Sequence, residues 1–466
     1  MRRFLPSRER LGVILHHALP ILVAQLASMS TSLVDTLIAA RSGTLDLAAI
    51  GVGNGLFITV MLACAGVTQG LTPIAAHHFG AQRFDELGPS FHQGIWLCLA
   101  LALGGIILLS FPCWVLDLNR VTPAVAQRTR DYLGMIAWSL PGMLIYRTCG
   151  GLFNALGRPR MVMFLGLCYA FGHALLAPAL AFGWLTGRNL GAVGCATSML
   201  INTALLATLA LYYLAKSDWS RQFKLFSNWQ RPHWGRLNEL LRLGLPIGMS
   251  SFVEMSSFAL ISLLVASLGA EEVGANRVAG NLTGICYMFP LAISIATLSL
   301  IGQASGARNF PKVRETVNAG LWLGGGTALC LGLGLWCFAG PVVGLFTPDA
   351  RVQVLAVPLV LLIVFNQFFD AVQTVSAQSL RGLKIASKPM LIHIFSFWGI
   401  GLAGGWGLCY KGLPVLGLDA QGTAGFWQAS ILATFVASLL FGTMLYHAIR
   451  PHFTKETGST GCTKAD

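Results

Sequence analysis

The chain has 466 residues, of which 55% are hydrophobic and only 11% charged, with a mean hydropathy of +0.67. Soluble domains carry about 25% charged residues, so this composition excludes a water-soluble protein and points to one integral membrane body. The net charge of +13 would suit a nucleic-acid partner, but the basic residues sort by side of a membrane and form no single patch.

Twelve apolar runs are long enough to cross a hydrocarbon core of about 30 Å. The first, 14–38, follows the segment "MRRFLPSRER". That arrangement has the outline of a secretory signal, yet the run has a counterpart in mid-chain and therefore reads as a spanning helix. It carries Pro20 early and Asp35 late. Runs 49–76, 90–112, 131–150, 162–184 and 191–214 follow, with His173 in the fifth. The longest polar connector, 215–243, leads to runs 244–268, 277–303, 316–339, 355–380, 391–409 and 425–447. Glu254 lies in the seventh run and Asp370 in the tenth. The expected organisation is an N-terminal six-helix bundle over 1–214, a cytoplasmic linker over 215–243, a C-terminal six-helix bundle over 244–449 and a cytoplasmic tail over 450–466.

With the N-terminus placed in the cytoplasm, 23 of the 31 Lys and Arg fall on the cytoplasmic side. The other eight are Arg41, Arg120, Arg128, Arg130, Arg188, Arg277, Arg351 and Lys411. This positive-inside bias puts both termini in the cytoplasm. The basic residues thus orient the protein, and no nucleic-acid partner is expected. The 11 Cys contain no C-x-x-C pair and lie almost entirely in apolar runs, so they read as small buried hydrophobes.

Residues 19–97 match residues 245–323 at a constant offset of 226, without a gap, and 17 of the 79 pairs are identical. "LPI" meets "LPI", "GAQRF" meets "GARNF", and "GIWL" meets "GLWL". Pro20 and Pro246 fall at equivalent places, where they could permit bending. A six-helix repeat returns the chain to its starting side. The two halves should therefore be related by an axis along the membrane normal, with the substrate path between them.

Three of the 18 acids fall inside apolar runs: Asp35, Glu254 and Asp370. Each costs on the order of 3 kcal/mol at a helix centre, a large fraction of a typical folding stability. Acids retained there should face a wet cavity and bind something. Two carboxylates close together in low dielectric repel when both are ionised. A proton, a sodium ion or a cationic substrate relieves that repulsion, and competition among these ligands is a physical basis for antiport. Carboxylate oxygens suit a hard cation such as Na+, and suit a proton equally well. The repeat aligns Glu254 with Ser28 and Asp35 with Ile261, so the two halves have diverged in chemistry. Phe258 follows Glu254 by four residues and shares its helix face, while Tyr287 stands in "GICYMFP" of the eighth run. Aromatic surfaces of this kind accept flat organic cations.

The stretches "LPILVAQLASMSTSLVDTLIAARSG", "TQGLTPIAAHHFGAQ", "NALGRPRM", "LPIGMSSFVEMSSFAL", "GQASGARN" and "QSLRGL" make the chain resemble the multidrug and toxic compound extrusion (MATE) transporters, in particular the bacterial NorM type. The resemblance implies an all-α membrane protein of twelve helices in two pseudo-symmetric six-helix bundles forming a V-shaped body. It implies export of organic cations in exchange for Na+ or H+ by alternating access, in a bacterial inner membrane, by a monomer with no enzymatic cofactor. By position, Glu254 and Asp370 match the family's cation-binding carboxylates, and Tyr287 and Phe258 match aromatics beside that ion. Asp35 matches the acid tied to protonation or drug contact.

Two departures stand out. Where relatives often carry two Asn residues four apart in helix five, this chain has His173 and Ala177, and His173 could itself exchange a proton. "NRV" at the start of helix eight brings Arg277, which would repel cationic drugs from an outer vestibule. The alternative within the wider superfamily is a flippase for lipid-linked precursors, which should carry a cationic cavity and usually extra helices. An enzyme is not expected, because H-E-x-x-H, G-x-S-x-G and the phosphate-binding loop are all missing from the sequence.

Overall fold

Hydrocarbon offers no hydrogen bonds, so each spanning segment must satisfy its own backbone, and the helix is the open-chain solution. The computed structural model describes residues 6–111, 122–185, 187–412 and 419–450, and no strand occurs among them. In chain order the helices are α1 (Arg8–Ser42), α2 (Thr44–Thr68), α3 (Leu71–Gly80), α4 (Leu87–Ser110), α5 (Pro123–Ile136), α6 (Leu140–Ala155), α7 (Pro159–Ala181) and α8 (Ala192–Lys216). The second half contributes α9 (Trp234–Val265), α10 (Ala270–Gly306), α11 (Phe310–Phe346), α12 (Ala350–Gly382), α13 (Ser387–His393), α14 (Gly405–Tyr410) and α15 (Thr423–Ile449). Residues Ile394–Gly404 wind as a π-helix between α13 and α14. The tail over 451–466, with Lys455 and Lys464, lies outside the described residues, as do Arg2, Arg3 and Arg120.

Eleven helices among the described residues are long and apolar enough to cross a membrane, one fewer than the twelve expected runs. The missing one is 131–150. It is present as α5 and α6 joined through the 3-10 turn Ala137–Ser139, but within it Asp131 and Arg147 dilute the apolar character. Pro20 and Pro246 both sit inside continuous helices.

The sequence repeat is visible in the backbone. Left-handed residues recur at matched places: Gly43 with Gly269 (φ 128° and 125°), Gln82 with Arg308 (58° and 54°), Gly157 with Lys384 (73° and 61°), and Gly191 with Gly422 (53° and 57°). The first two pairs keep the offset of 226 found in the sequence. Both halves therefore turn at the same points with the same handedness.

The chain divides into two compact units, one of residues 19–252 and one of residues 1–18 with 253–466. The boundaries fall inside α1 and α9. In the first unit, α2 and the start of α9 approach backbone to backbone. A Cβ on Gly66 would stand 2.5 Å from the Cα of Gly248, and one on Gly70 would stand 2.9 Å from the nitrogen of Gly244. Small residues allow this in membrane helices. The connector before α9 is strapped to α4. Gln93 donates from Nε2 to the Arg231 carbonyl (3.0 Å) and accepts from the His233 amide (2.9 Å), and Trp96 donates to the Gln230 carbonyl (3.1 Å). In the second unit, α10, α11, α12 and α15 share an apolar core that includes Leu282, Leu335, Ile363 and Trp427. Glu315 of α11 holds the chain start by accepting from Arg10 Nε (3.0 Å) and from the Ser7 hydroxyl (2.5 Å).

Candidate functional site

The second unit gathers a polar cluster in an apolar surround. α12 is long enough to carry buried polar side chains over several turns. Asp370, Gln373, Thr374, Gln378 and Arg381 are each at most 8% exposed. Asp370 accepts from Gln373 Nε2 at 2.8 Å, and Arg381 donates from its guanidinium to Gln378 Oε1 at 3.3 Å. Glu254, half-buried on α9, lies within charge range of both Asp370 and Arg381. Tyr287 of α10 lies near Thr374 and within charge range of Glu254, Asp370 and Arg381.

The fold therefore brings Glu254, Asp370 and Tyr287 together. Phe258 lies one turn along α9 and is 38% exposed. Arg277 is exposed near the start of α10. Several buried side-chain atoms of this unit have no protein partner: both amide atoms of Gln367, Gln373 Oε1, Ser257 Oγ and Ser376 Oγ. Buried polar atoms ordinarily find one. Gln373 Oε1 is the free end of the amide that holds Asp370, and an amide oxygen beside carboxylates is a hard-cation donor. Glu254, Asp370 and Gln373 thus fit a bound Na+ by the chemistry of their oxygens. Among the described residues there is no group of three or more His, Cys, Asp or Glu that could hold a metal ion.

Arg381 is the residue that sequence reasoning missed. It stands at the edge of the tenth apolar run, where it reads as a loop cation. The signal was its spacing: it follows Asp370 by 11 residues, close to three full turns, so the two share a helix face.

The first unit holds a second cluster. His173 Nε2 lies 2.9 Å from Asp35 Oδ1, with side-chain exposures of 1% and 16%. His173 Nδ1 lies 3.2 Å from Ser198 Oγ. A carboxylate only accepts, so Nε2 donates to Asp35, and the Ser198 hydroxyl, which can donate or accept, meets the other ring nitrogen. Tyr169 stacks on His173 (centroids 6.2 Å, planes 21° apart), and Tyr146 stacks on Tyr169 (6.2 Å, 24°). The backbone carbonyl of Tyr169 accepts from Asn202 Nδ2 at 2.7 Å. Cys195 lies near Asp35, and Thr31 near Tyr169; the Thr31 hydroxyl donates to the Ser28 carbonyl at 2.8 Å. Ala177, at the place of the family's second Asn, is fully buried core.

Three helices each supply residues four apart: Thr31 and Asp35 on α1, Tyr169 and His173 on α7, Ser198 and Asn202 on α8. Such i, i+4 pairs share one helix face. That periodicity inside apolar runs was the signal for the partners of Asp35 and His173.

Comparison with known proteins matches this architecture. The MatE family profile matches the chain twice, over residues 20–179 and 246–406, and the two starts differ by the same 226 residues as the internal repeat. A probable multidrug resistance protein NorM of Aromatoleum aromaticum is 48% identical over 440 residues, covering 94% of each chain. The multidrug resistance protein PmpM of Pseudomonas aeruginosa is 30% identical, covering 97% of this chain and 94% of that one. Among solved structures, an outward-facing multidrug resistance MATE family transporter superposes with a TM-score of 0.87 at 17% identity, covering 96% of this chain and 97% of that one. The eukaryotic MATE transporter AtDTX14 superposes with a TM-score of 0.83 at 17% identity, covering 96% and 99%. Two profile matches, full-length relatives and a shared all-helical membrane fold place this chain in the MatE family, as a transporter of the NorM type.

Proposed function

We propose that the chain is a secondary active multidrug exporter of a bacterial inner membrane, with both termini in the cytoplasm, and that it exchanges organic cations for Na+ or H+ by alternating access. The observation that carries this reading is the gathering of half-buried Glu254 and Tyr287 around buried Asp370, beside which Gln373 leaves an amide oxygen unpartnered. Carboxylates are expensive in a membrane interior unless a cation or proton meets them. Whichever ligand binds there must leave before another is stabilised. The names of the relatives, multidrug resistance proteins of bacteria, support drugs as the substrates and a bacterial membrane as the location.

The Asp35–His173 cluster is the second working site in this reading. With Nε2–H fixed on Asp35, His173 can take one further proton at Nδ1, and Ser198 then turns its hydroxyl to accept. The pair is suited to release a proton when a cationic substrate neutralises Asp35 in its place.

Dye efflux from inverted vesicles tests the proposal, with Na+ and pH gradients imposed separately. Export driven by one of the two gradients is expected. Dye movement that follows neither gradient would overturn the antiport reading.

A further inference from the structure

We propose that Tyr146, Arg147, Gly150 and Asn154 of α6 form a subsite for an aromatic carboxylate, so that the first unit takes substrates bearing an acid group as well as organic cations. This extends the export reading to a second substrate chemistry, and binding alone reads it, without any gradient.

The four residues border one face of α6. Tyr146 and Arg147 precede Gly150 by four and three residues, and Asn154 follows it by four. The other faces of α6 are packed. A Cβ on Gly142 would stand 2.9 Å from the Thr203 backbone of α8, and one on Gly151 would overlap the Thr72 hydroxyl of α3. Thr148 Oγ1 meets Cys98 Sγ of α4 at 3.0 Å. At Gly150 the packing stops. The residue is buried, yet a Cβ there would meet nothing within 4 Å. Tyr146 borders this space, and its ring stacks on Tyr169 of α7 at 6.2 Å.

Two polar atoms on this face are buried without a partner, Arg147 Nε and Asn154 Oδ1. Arg147 takes part in no ion pair among the described residues. Its guanidinium thus stands inside run 131–150 with no carboxylate to match it. Buried polar atoms ordinarily find partners. Ionisable groups within a membrane are expensive and mark the paths of ligands.

The second unit uses the equivalent face for its carboxylate. A Cβ on Gly94 would meet Leu71 and Thr148 at 3.0 Å and 3.7 Å, and one on Gly320 would meet Thr297 and Val375 at 2.7 Å and 3.3 Å. These matched contacts set α6 on α12 at an offset of 227, as Gly157 and Lys384 do in the backbone. Arg147 is then the counterpart of Thr374, and Met143 that of Asp370. The face that bears Asp370 in the second unit bears a guanidinium and no acid in the first.

An aromatic carboxylate satisfies each group. Its two oxygens match the planar fork of the guanidinium. Its ring enters the space beside Gly150 and packs on Tyr146. Asn154 Oδ1 accepts from an N–H or O–H of the same molecule, or from a bridging water.

The test is equilibrium binding to purified full-length protein, read by fluorescence anisotropy with two probes. Rhodamine B carries a free carboxylate on an aromatic ring, and its ethyl ester is the same dye with that charge removed. Wild type is expected to bind both. Arg147→Gln should weaken rhodamine B by at least about tenfold, the scale of a lost charge-assisted hydrogen bond, and the ester by less than about twofold. Gly150→Leu fills the space with Arg147 still in place, and should reproduce the selective loss. If Arg147→Gln does not fold, Gly150→Leu decides with the same two probes. Wild type that binds only the ester overturns the inference, and so does a folded variant whose loss is absent or equal for both dyes. Dye movement that follows neither gradient would instead sink the antiport reading and leave this difference in binding untouched.

Discussion

His173 and Asp35, 138 residues apart in sequence, meet at 2.9 Å with the imidazole fully buried. The pair joins α1 to α7, and Ser198 fixes the ring from α8. A hydrogen bond to a charged group contributes roughly 1.5–3 kcal/mol, so this contact is strong enough to bias the packing of three helices. Asp35→Asn keeps the size of the side chain and removes its charge. It is expected to impair substrate-coupled proton release more than Na+ binding, measured on purified protein with a pH-indicator dye and with radiolabelled Na+. Equal loss of both would mean that the two clusters do not act as separate sites.

Glu254→Gln should abolish coupled export while the protein continues to reach the membrane. The neutral amide imitates a permanently occupied carboxylate, and it leaves Arg381 without the acid it interacts with. A loss of at least about a hundredfold in initial efflux rate is expected, the scale set by a coupling term of roughly 3 kcal/mol. Immunodetection of the variant in membranes gives the comparison. Normal dye efflux at normal expression would remove Glu254 from the mechanism.

Asp370→Asn tests the other carboxylate. Gln373 Nε2 donates to Asp370 Oδ1 at 2.8 Å, and the asparagine carbonyl can still accept that bond, so folding should persist. The charge is lost, and with it the driving force for a cation. The Na+ concentration that gives half-maximal efflux should rise by about tenfold, equivalent to roughly 1.4 kcal/mol. An unchanged Na+ dependence places the ion elsewhere.

The fold was legible in the sequence where physics is local. Apolar length set the spans, and the ungapped offset of 226 set the repeat that reappears in Gly43 with Gly269 and Gln82 with Arg308. The span over 131–150 was legible as apolar, but its division into α5 and α6 by the 3-10 turn Ala137–Ser139 was not. The acids were legible because a lone carboxylate in an apolar run is costly. Their partners were not. Ser198, Cys195 and Tyr169 are ordinary residues in membrane helices, and only the tertiary fold brings them to Asp35 or to its imidazole partner. Arg381 was hidden for a different reason: a basic residue at a helix end serves topology by default. Nothing in the neighbouring sequence shows that it turns back onto Gln378 and interacts with Glu254. The strap of the connector onto α4 was equally hidden, because a polar stretch reads as a linker until Gln93 and Trp96 are seen to hold it.

The repeat also yields a stability comparison between Gly191 and Gly422. Both have positive φ, 53° and 57°, with ψ of −125° and −142°, a region that glycine alone occupies readily, so an alanine at either position costs about 1–3 kcal/mol in backbone strain. Their surroundings differ. A Cβ on Gly191 would overlap Asp46 Oδ2, whereas a Cβ on Gly422 meets only Glu272 Oε1 at an ordinary 3.7 Å. Asp46 and Glu272 are repeat equivalents, but only Asp46 is committed to a tight pair there. It accepts from Arg128 Nε at 2.6 Å, and Arg128 also donates to the Leu190 carbonyl at 3.3 Å. That junction ties α2, α5 and the turn before α8 together. Gly191→Ala should displace Asp46 and lose roughly 2 kcal/mol more than Gly422→Ala, a figure reduced for the partial exposure of Arg128. Thermal unfolding of detergent-purified variants, followed by tryptophan fluorescence, gives the comparison. Gly191→Ala is expected to show the lower midpoint, and Asp46→Ala should reproduce most of the difference. Equal midpoints for the two glycine variants would mean that the Asp46–Arg128 pair does not hold this junction.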